Sequence, residues 1–340
     1  MKLFTAITLI SISLFSLSSA HEGPWTAARP DGHAPISVMG DHMHKMGEWM
    51  VSYRYMSMEM EGLLAGSKNI SANDANSTFG FPLGMLPKDM KMDMHMFGTM
   101  YAISNKWTLM AMVNYLDNEM SMQSAMMGKM ESKGISDIKL AGLYDLAQWD
   151  DGRRVHLKLG LNLPTGSIDE KHNGNILGYG MQLGSGTYDF EPAITYLGQT
   201  ENYSYGAQLG GILRIGENDQ DYTLGNKFEA ALWGARKITD SLSASAKFDY
   251  SSQSEIEGSD ARLKMRREMM GGTMDSPTFD PNSQGRDITT FGLGLNYYFQ
   301  NGGLSGHRLA AEWETPIDQK VNGVQLELDS VWTLGWQYAW

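Results

Sequence analysis

The last ten residues of the chain show the clearest alternation of apolar and polar positions. Trp332, Leu334, Trp336, Tyr338 and Trp340 are spaced two residues apart, and the residues between them are small or polar. Because side chains alternate between the two faces of a β-strand, this segment predicts a strand between an apolar and a polar environment. A face with several tryptophans would form a sticky edge in water, which favours its contact with a core or with lipid.

Similar alternation recurs from Glu48 to the end of the chain. In the first such segment Trp49, Val51 and Tyr53 lie opposite Ser52 and Arg54. The pattern predicts about twelve strands, with fourteen as the alternative count. The other predicted segments are 95–103, 107–115, 138–146, 155–163, 190–196, 203–215, 228–234, 242–250, 291–299, 309–313 and 331–340.

The connections between these strands alternate between short and long. This is the arrangement of outer-membrane barrels, which have short periplasmic turns and longer extracellular loops. The fold predicted is therefore all-β, a transmembrane antiparallel up-and-down β-barrel over residues 48–340, with a periplasmic β-sandwich or propeller as the alternative. The predicted long loops are 59–89, 117–134, 165–187, 217–226, 251–286 and 315–325.

Two segments precede the predicted barrel. Lys2, the apolar run 3–17 and the small residues 18–20 are typical of a secretory signal peptide, so we predict cleavage after residue 20 and export. Residues 21–47 are rich in His, Met, Pro and Gly and predict a long irregular segment. That segment either hangs in the periplasm or folds into the mouth of the barrel.

Composition narrows the function classes. The formal net charge is -12, which gives the chain no electrostatic reason to bind nucleic acid. The chain has no cysteine, so an exported protein of this type must rely on backbone pairing and apolar burial. No Gly-Xaa-Ser-Xaa-Gly motif occurs, and the pair Ser305 and His307 lies beside a predicted periplasmic turn. We therefore expect that the protein is not an enzyme.

Three motifs carry a family resemblance: residues 31–44, residues 160–166 and residues 188–192. With them the chain resembles the outer-membrane transporters grouped under the phenol-degradation meta-pathway family. The resemblance implies an outer-membrane transport protein of a Gram-negative bacterium for a small solute, with aromatic or apolar compounds as the class. It implies contact with outer-membrane lipid and with the barrel-assembly machinery, and we expect a monomer. By resemblance to other such barrels, Trp336, Tyr338 and Trp340 would form the assembly signal.

Methionine is the unusual residue of this chain, with 26 copies. Thioether sulfur prefers soft ions such as Cu(I), and imidazole accepts copper in both common oxidation states. Copper binding, efflux or resistance is therefore a second functional hypothesis, although methionine also fills apolar gaps in cores. No other cofactor is expected. The candidate ligands are His21, His33, Met39, His42, Met43, His44, Met46, Met90, Met92, Met94, His95 and Met96.

Charged residues on the polar faces of the predicted strands are expected to point into the lumen. Such a set can pair across the lumen and nearly close it, or it can line a narrow polar path. A third hypothesis, a structural or adhesive barrel, would use the long loops to bind a partner. The predicted lumen residues are Arg54, Lys139, Asp145, His156, Lys158, Glu229 and Arg236.

Overall fold

A computed structural model describes residues 26–269 and 276–340. The predicted signal peptide 1–20 and the candidate ligand His21 lie outside the described residues. Two short helices occur, α1 (Ala72–Phe79) and α2 (Ala261–Met269). The strands are β1 (Trp49–Gly66), β2 (Lys68–Ile70), β3 (Pro87–Ser104), β4 (Trp107–Met122), β5 (Lys129–Ile135), β6 (Ile138–Gln148), β7 (Arg154–Leu163), β8 (Lys171–His172), β9 (Asn175–Ile176), β10 (Tyr188–Gln199), β11 (Tyr203–Ile215), β12 (Tyr222–Thr223), β13 (Lys227–Lys237), β14 (Leu242–Gln253), β15 (Glu257–Gly258), β16 (Arg286–Tyr298) and β17 (His307–Ala339).

The strands form a closed antiparallel β-barrel, which confirms the predicted fold class. The ring runs β1, β3, β4, β6, β7, β10, β11, β13, β14, β16, β17, and β17 pairs with β1 to close it. Strands β2 and β5 pair with β1 and β4 outside this ring. Closure leaves no free edge at β1 or β17, so the backbone groups of both strands are paired. In the described part of the chain, neither helix is long and apolar enough to cross a membrane.

The ring has eleven strand segments, one fewer than the predicted twelve. The difference lies in β17, where the predicted loop 315–325 is absent. Strand β17 pairs with β16 as far as Val321 and with β1 from there onward. It folds back at Asn322 and Gly323, and the φ of +61° at Gly323 suits the tight turn that Asn-Gly favours. One 33-residue segment therefore occupies two neighbouring positions in the wall.

The two faces of the wall differ as the alternation predicted. Trp332 is 51% exposed and Leu334 is 49% exposed on the outer face, whereas Thr333, which lies between them, and Gln337 are buried. The same division holds on β7, where His156 is buried inside and Leu159 lies outside. The barrel thus presents an apolar outer surface and a polar or methionine-lined interior.

The two ends of the barrel are unlike. At one end, which we call the short-turn end, the backbone N–H groups of Trp49 and Trp340 each donate to the other's carbonyl. At the opposite, loop end, the connecting segments pack on the inner wall through an apolar cluster that includes Phe81, Leu86 and Met181. The predicted loop 117–134 is wrong, because β4 and β5 continue through most of it.

Candidate functional site

Residues 26–48 lie inside the ring at its short-turn end, and we call this segment the plug. It contains no regular helix or strand, as its Pro and Gly residues predicted. Ala34, Ile36, Val38 and His42 are each less than 7% exposed, so the segment is packed against the wall. Of the two predicted positions, the structure places it in the barrel mouth.

One buried arginine holds the start of the plug. Arg308 of β17 donates from Nη1 to the Pro30 carbonyl at 2.9 Å, and from Nη2 to the carbonyls of Ala27 and Arg29 at 3.0 and 2.7 Å. Its guanidinium also lies 5.4 Å from the ring centroid of Tyr298. Because an irregular segment cannot satisfy its own carbonyls, such wall donors are what allow it to be buried.

Other anchors come from strands all around the ring, so the plug spans the lumen. They offer polar side chains to the plug backbone, which fixes its path without regular structure. The contacts are Arg54 Nε to Ile36 O at 3.0 Å, Thr108 Oγ1 from His44 N at 3.2 Å, His156 Nε2 with Gly40 O at 2.8 Å, Gln208 Nε2 to Met39 O at 3.2 Å, Ser243 Oγ to Pro30 O at 2.8 Å, and Glu312 Oε2 from Ser37 N at 2.9 Å.

Three of the predicted histidine ligands meet within the plug. The ring centroids of His33 and His42 are 3.8 Å apart, and those of His42 and His44 are 4.8 Å apart. Asp41 Oδ1 lies 2.8 Å from His42 Nδ1, and Asp41 Oδ2 accepts from Ala34 N at 2.9 Å. Three ring nitrogens of this cluster are buried without a hydrogen-bond partner in the described part of the chain: His33 Nδ1, His42 Nε2 and His44 Nε2.

The electrostatics of this cluster favour neutral imidazoles at His33 and His44 beside one carboxylate. Burial, with the nearby charge of Arg308, lowers the pKa of His33 well below its usual value. Burial also lowers the pKa of His44 to about 3. Burial acts to raise the pKa of Asp41, but its interactions with His42 and the Ala34 N–H bring that pKa down to about 2. At neutral pH the rings of His33 and His44 therefore each keep one nitrogen with a free lone pair.

A cavity of about 540 Å³ lies beyond the plug, towards the loop end. Met39 and Val38 of the plug form part of its lining, and Met56, Met58 and Met112 line its apolar side. Its other side carries cations and carboxylates from successive strands: Lys139, Lys158, Glu191, Lys227, Glu229, Lys247, Asp249, Arg286 and Glu314.

Most of these charges are paired. Lys139 lies 2.6 Å from Glu191, and Lys247 contacts Asp249, Glu312 and Glu314 at 2.8 to 3.2 Å. The other pair is Lys227 with Glu229, at 2.6 Å. Within residues 26–269 and 276–340, Lys158 and Arg286 line the cavity without an ion pair. The cavity therefore offers two positive groups opposite an apolar wall.

Next to this apolar side, rows of inward-facing methionines run across four neighbouring strands. Met60 of β1 is opposite Met90 of β3, which is opposite Met120 of β4, and Met120 pairs with Met130 of β5. The next rows pair Met58 with Met92 and Met56 with Met94. Met90, Met92, Met94 and Met96 alternate along β3 and share its inward face. Met120 and Met130 also lie in the wall, whereas Met126 is 96% exposed in the connection between β4 and β5.

The structure separates His95 and Met46 from the histidine cluster and keeps Met43 beside it. His95 points outward, where its Nδ1 lies 2.8 Å from the Tyr53 hydroxyl. Met46 is 66% exposed at the short-turn end. Met43 lines a second cavity, of about 550 Å³ at that end, together with His33 and His44.

The predicted lumen residues divide into three groups. Arg54 and His156 anchor the plug, while Lys139, Lys158 and Glu229 line the cavity. Asp145 is buried and pairs with Lys106 at 2.7 Å. Arg236 was wrong: it is exposed on the outer face, stacked 5.6 Å from the Tyr203 ring, because the inward positions of β13 are Trp233 and Ala235.

A second buried polar cluster, which we call the loop knot, was missed by the sequence reasoning. Asp137 accepts from Gly166 N at 2.8 Å and from Ser185 N at 2.8 Å. Asn162 Nδ2 donates to Asp189 at 2.7 Å and to Asp137 at 3.1 Å. Arg214 also pairs with Asp189. Asn162, Gly166 and Asp189 belong to motifs singled out in the sequence, so those motifs tie the loop 164–187 to the wall.

Comparison with known proteins agrees with this architecture. Residues 89–313 match the family described as "Putative MetA-pathway of phenol degradation". A search of curated protein sequences gives no match. Among solved structures, the outer membrane channel from Pseudomonas putida F1 is similar with a TM-score of 0.65 at 12% identity, over 90% of this chain and 100% of that one.

Weaker likeness extends to other barrels. The β domain of the Bordetella autotransporter BrkA gives a TM-score of 0.45 at 10% identity, over 86% of this chain and 100% of that one. The KdgM porin gives 0.40 at 9% identity, over 85% of this chain and 98% of that one.

Proposed function

The chain belongs to the family described as the MetA pathway of phenol degradation, and from this premise we propose that it is an outer-membrane channel closed by its own plug. The observation that carries the proposal is the plug itself, anchored to β1, β4, β7, β11, β14 and β17 across the short-turn end. A plug held by many hydrogen bonds, rather than by a continuous apolar core, can be released without unfolding the barrel.

The outer-membrane location is supported by the outer face of the wall. Leu232, Leu293, Leu295 and Trp332 are each about half exposed there, which would be costly in water and is favourable in lipid. In the proposed orientation the short-turn end faces the periplasm. We further propose that the protein is a monomer in contact with lipid. The barrel-assembly machinery would insert it by recognising Trp336, Tyr338 and Trp340.

For the solute we propose a small organic anion with an aromatic or apolar body. A cavity of about 540 Å³ is large enough for such a molecule. Its apolar part would lie against Met56, Met58 and Met112, and its anionic group would meet Lys158 and Arg286, which have no ion pair within the described residues. Catalysis has no part in this proposal, and the solved barrel with the similar fold is named a channel.

The test is single-channel recording in planar bilayers. Arg308→Met removes three hydrogen bonds to the plug. Hydrogen bonds from charged groups contribute about 1.5–3 kcal/mol each. Losing them should raise the open fraction more than about tenfold over the parent protein. Arg236→Met is the matched control, since Arg236 lies on the outer face and touches no part of the plug.

The same recordings examine the solute. In the Arg308→Met protein, benzoate should reduce the current more than acetate at equal concentration, and Lys158→Gln should weaken that block. Equal currents for the Arg308→Met, Arg236→Met and parent proteins would contradict the gating role of the plug. Equal block by benzoate and acetate would contradict the proposed solute class and leave the plug proposal standing.

A further inference from the structure

The histidine cluster of the plug contains nitrogen atoms that hydrogen bonding to the barrel leaves without a partner. Three imidazole nitrogens, one each from His33, His42 and His44, are buried without a partner in the described part of the chain. His42 is 1% exposed and His44 is 6% exposed. A buried acceptor without a partner costs free energy, and a bound ligand can offset that cost.

We propose that His33, His42 and His44 bind a soft monovalent metal ion, Cu(I) in the first place, within the plug. The ring of His42 lies close to both of the others, with centroids 3.8 Å from that of His33 and 4.8 Å from that of His44. One ligand atom each from His33, Asp41 and His42 lies within 4.8 Å of the others. Neutral imidazole is a ligand of copper in either common oxidation state.

Carboxylates orient two of the rings as they do in known metal sites. Asp41 Oδ1 lies 2.8 Å from His42 Nδ1, and Glu48 Oε2 lies 3.5 Å from His44 Nδ1. Both contacts favour the proton on Nδ1 and leave Nε2 free, and Nε2 is the unpartnered nitrogen in each ring. A histidine whose second nitrogen donates to a carboxylate is the usual outer-shell arrangement around a metal.

The surrounding charges favour a monovalent over a divalent ion. The guanidinium groups of Arg308 and Arg54 act on His33, and Asp41 is the buried carboxylate beside the rings. Repulsion from two guanidinium groups scales with the charge of the ion, so it penalises a dication about twice as strongly as a monocation. Met43 lines the same cavity as His33 and His44, and its thioether is a soft donor within that cavity.

Binding is tested on the full chain in detergent, with Ag⁺ and with Cu(I) under anaerobic conditions. Calorimetric titration of the parent protein should show a saturable site, and copper X-ray absorption should show nitrogen neighbours. His42→Gln and His33→Gln should each weaken this site more than about tenfold, and Asp41→Asn about tenfold or more through lost orientation. His172→Gln, in the hairpin of β8 and β9, is the matched control and should leave binding unchanged.

The methionine rows of the wall could also bind copper, and the experiment distinguishes such sites from the histidine site. Sites formed by them alone would show only sulfur neighbours and would survive His42→Gln. A copper signal without nitrogen neighbours, or affinity unchanged in both His33→Gln and His42→Gln, would overturn the proposal. Tighter binding of Zn²⁺ than of Cu(I) at the histidine site would overturn the proposed preference for a monovalent ion. A heat-dependent gel shift equal to that of the parent shows that each variant barrel is folded.

Discussion

The loop knot and the histidine cluster of the plug are both buried and polar, but they differ in how they are satisfied. In the loop knot, all four carboxylate oxygens of Asp137 and Asp189 accept hydrogen bonds. In the histidine cluster, one nitrogen of each of His33, His42 and His44 has no partner within the described residues. The first arrangement holds a loop in place, and the second leaves donor atoms available.

This difference separates a stabilising role from a binding role. A network whose carboxylate oxygens are all paired stabilises the folded state, and removing one member leaves a buried charge uncompensated. A cluster with unpartnered nitrogens contributes less to stability, and its residues can be exchanged at lower cost. Substitutions in the loop knot should therefore lower stability and leave ligand binding unchanged. Substitutions in the histidine cluster should weaken ligand binding and leave stability nearly unchanged.

The largest effect on stability is expected in the loop knot. Asp189→Asn keeps the shape of the side chain but removes the buried charge that pairs with the partly buried Arg214. Breaking a buried ion pair costs about 3–5 kcal/mol. The midpoint of denaturant unfolding in detergent should fall accordingly, while Ag⁺ binding to the plug stays unchanged. Asp240→Asn is the control, because Asp240 is largely exposed at a short turn. Equal unfolding midpoints for Asp189→Asn and Asp240→Asn would contradict the structural role of the loop knot.

A smaller effect is expected where the wall meets the plug at a single hydrogen bond. Thr108→Val removes the hydroxyl that accepts from His44 N at 3.2 Å and keeps the side-chain shape. The loss of one neutral hydrogen bond costs about 0.5–1.5 kcal/mol. Amide hydrogen exchange at residues 41–45 should become faster, with no change in β4 itself. Protection in the plug that equals that of the parent would show that this contact does not hold the segment.

The smallest effect on stability is expected at His33. His33→Phe replaces an imidazole whose Nδ1 has no partner with an apolar ring of similar shape. Removing an unsatisfied polar atom should change the unfolding free energy by less than about 1 kcal/mol. The same variant should lose Ag⁺ binding. A destabilisation as large as that of Asp189→Asn would show that His33 is structural and would end the contrast between the two regions.

The alternation of side chains was sufficient to predict the barrel and the orientation of most residues. Trp332 and Leu334 lie outside and Thr333 inside because a strand has only two faces. Register is likewise fixed, so Met90, Met92, Met94 and Met96 share one face. The loop boundaries were less accurate, because the polar residues at the ends of β3 and β4 resemble loop residues while still pairing as strands.

The interior of the plug could not be predicted in the same way. Its path has no period, and it depends on donors such as Arg308, which is separated from Pro30 by 278 residues. Such a donor looks in the sequence like any other polar residue of a strand. His42 and His44 are only two residues apart, but the approach of His33 follows from the turn closed by Ala34 N and Asp41.

The central claim, that the plug closes the channel from inside the ring, can be tested with an engineered disulfide. A Cβ placed on Gly335 would lie 2.5 Å from Ile36 Cγ1, so the Cβ atoms of a Cys pair at these positions would be within about 4 Å, a distance that a disulfide spans. The native chain has no cysteine to interfere. Ile36→Cys with Gly335→Cys, combined with Arg308→Met, is recorded in planar bilayers before and after reduction. The account predicts a closed channel when oxidised and an open one after reduction. Failure of the two cysteines to cross-link, or the same current in both states, would contradict it.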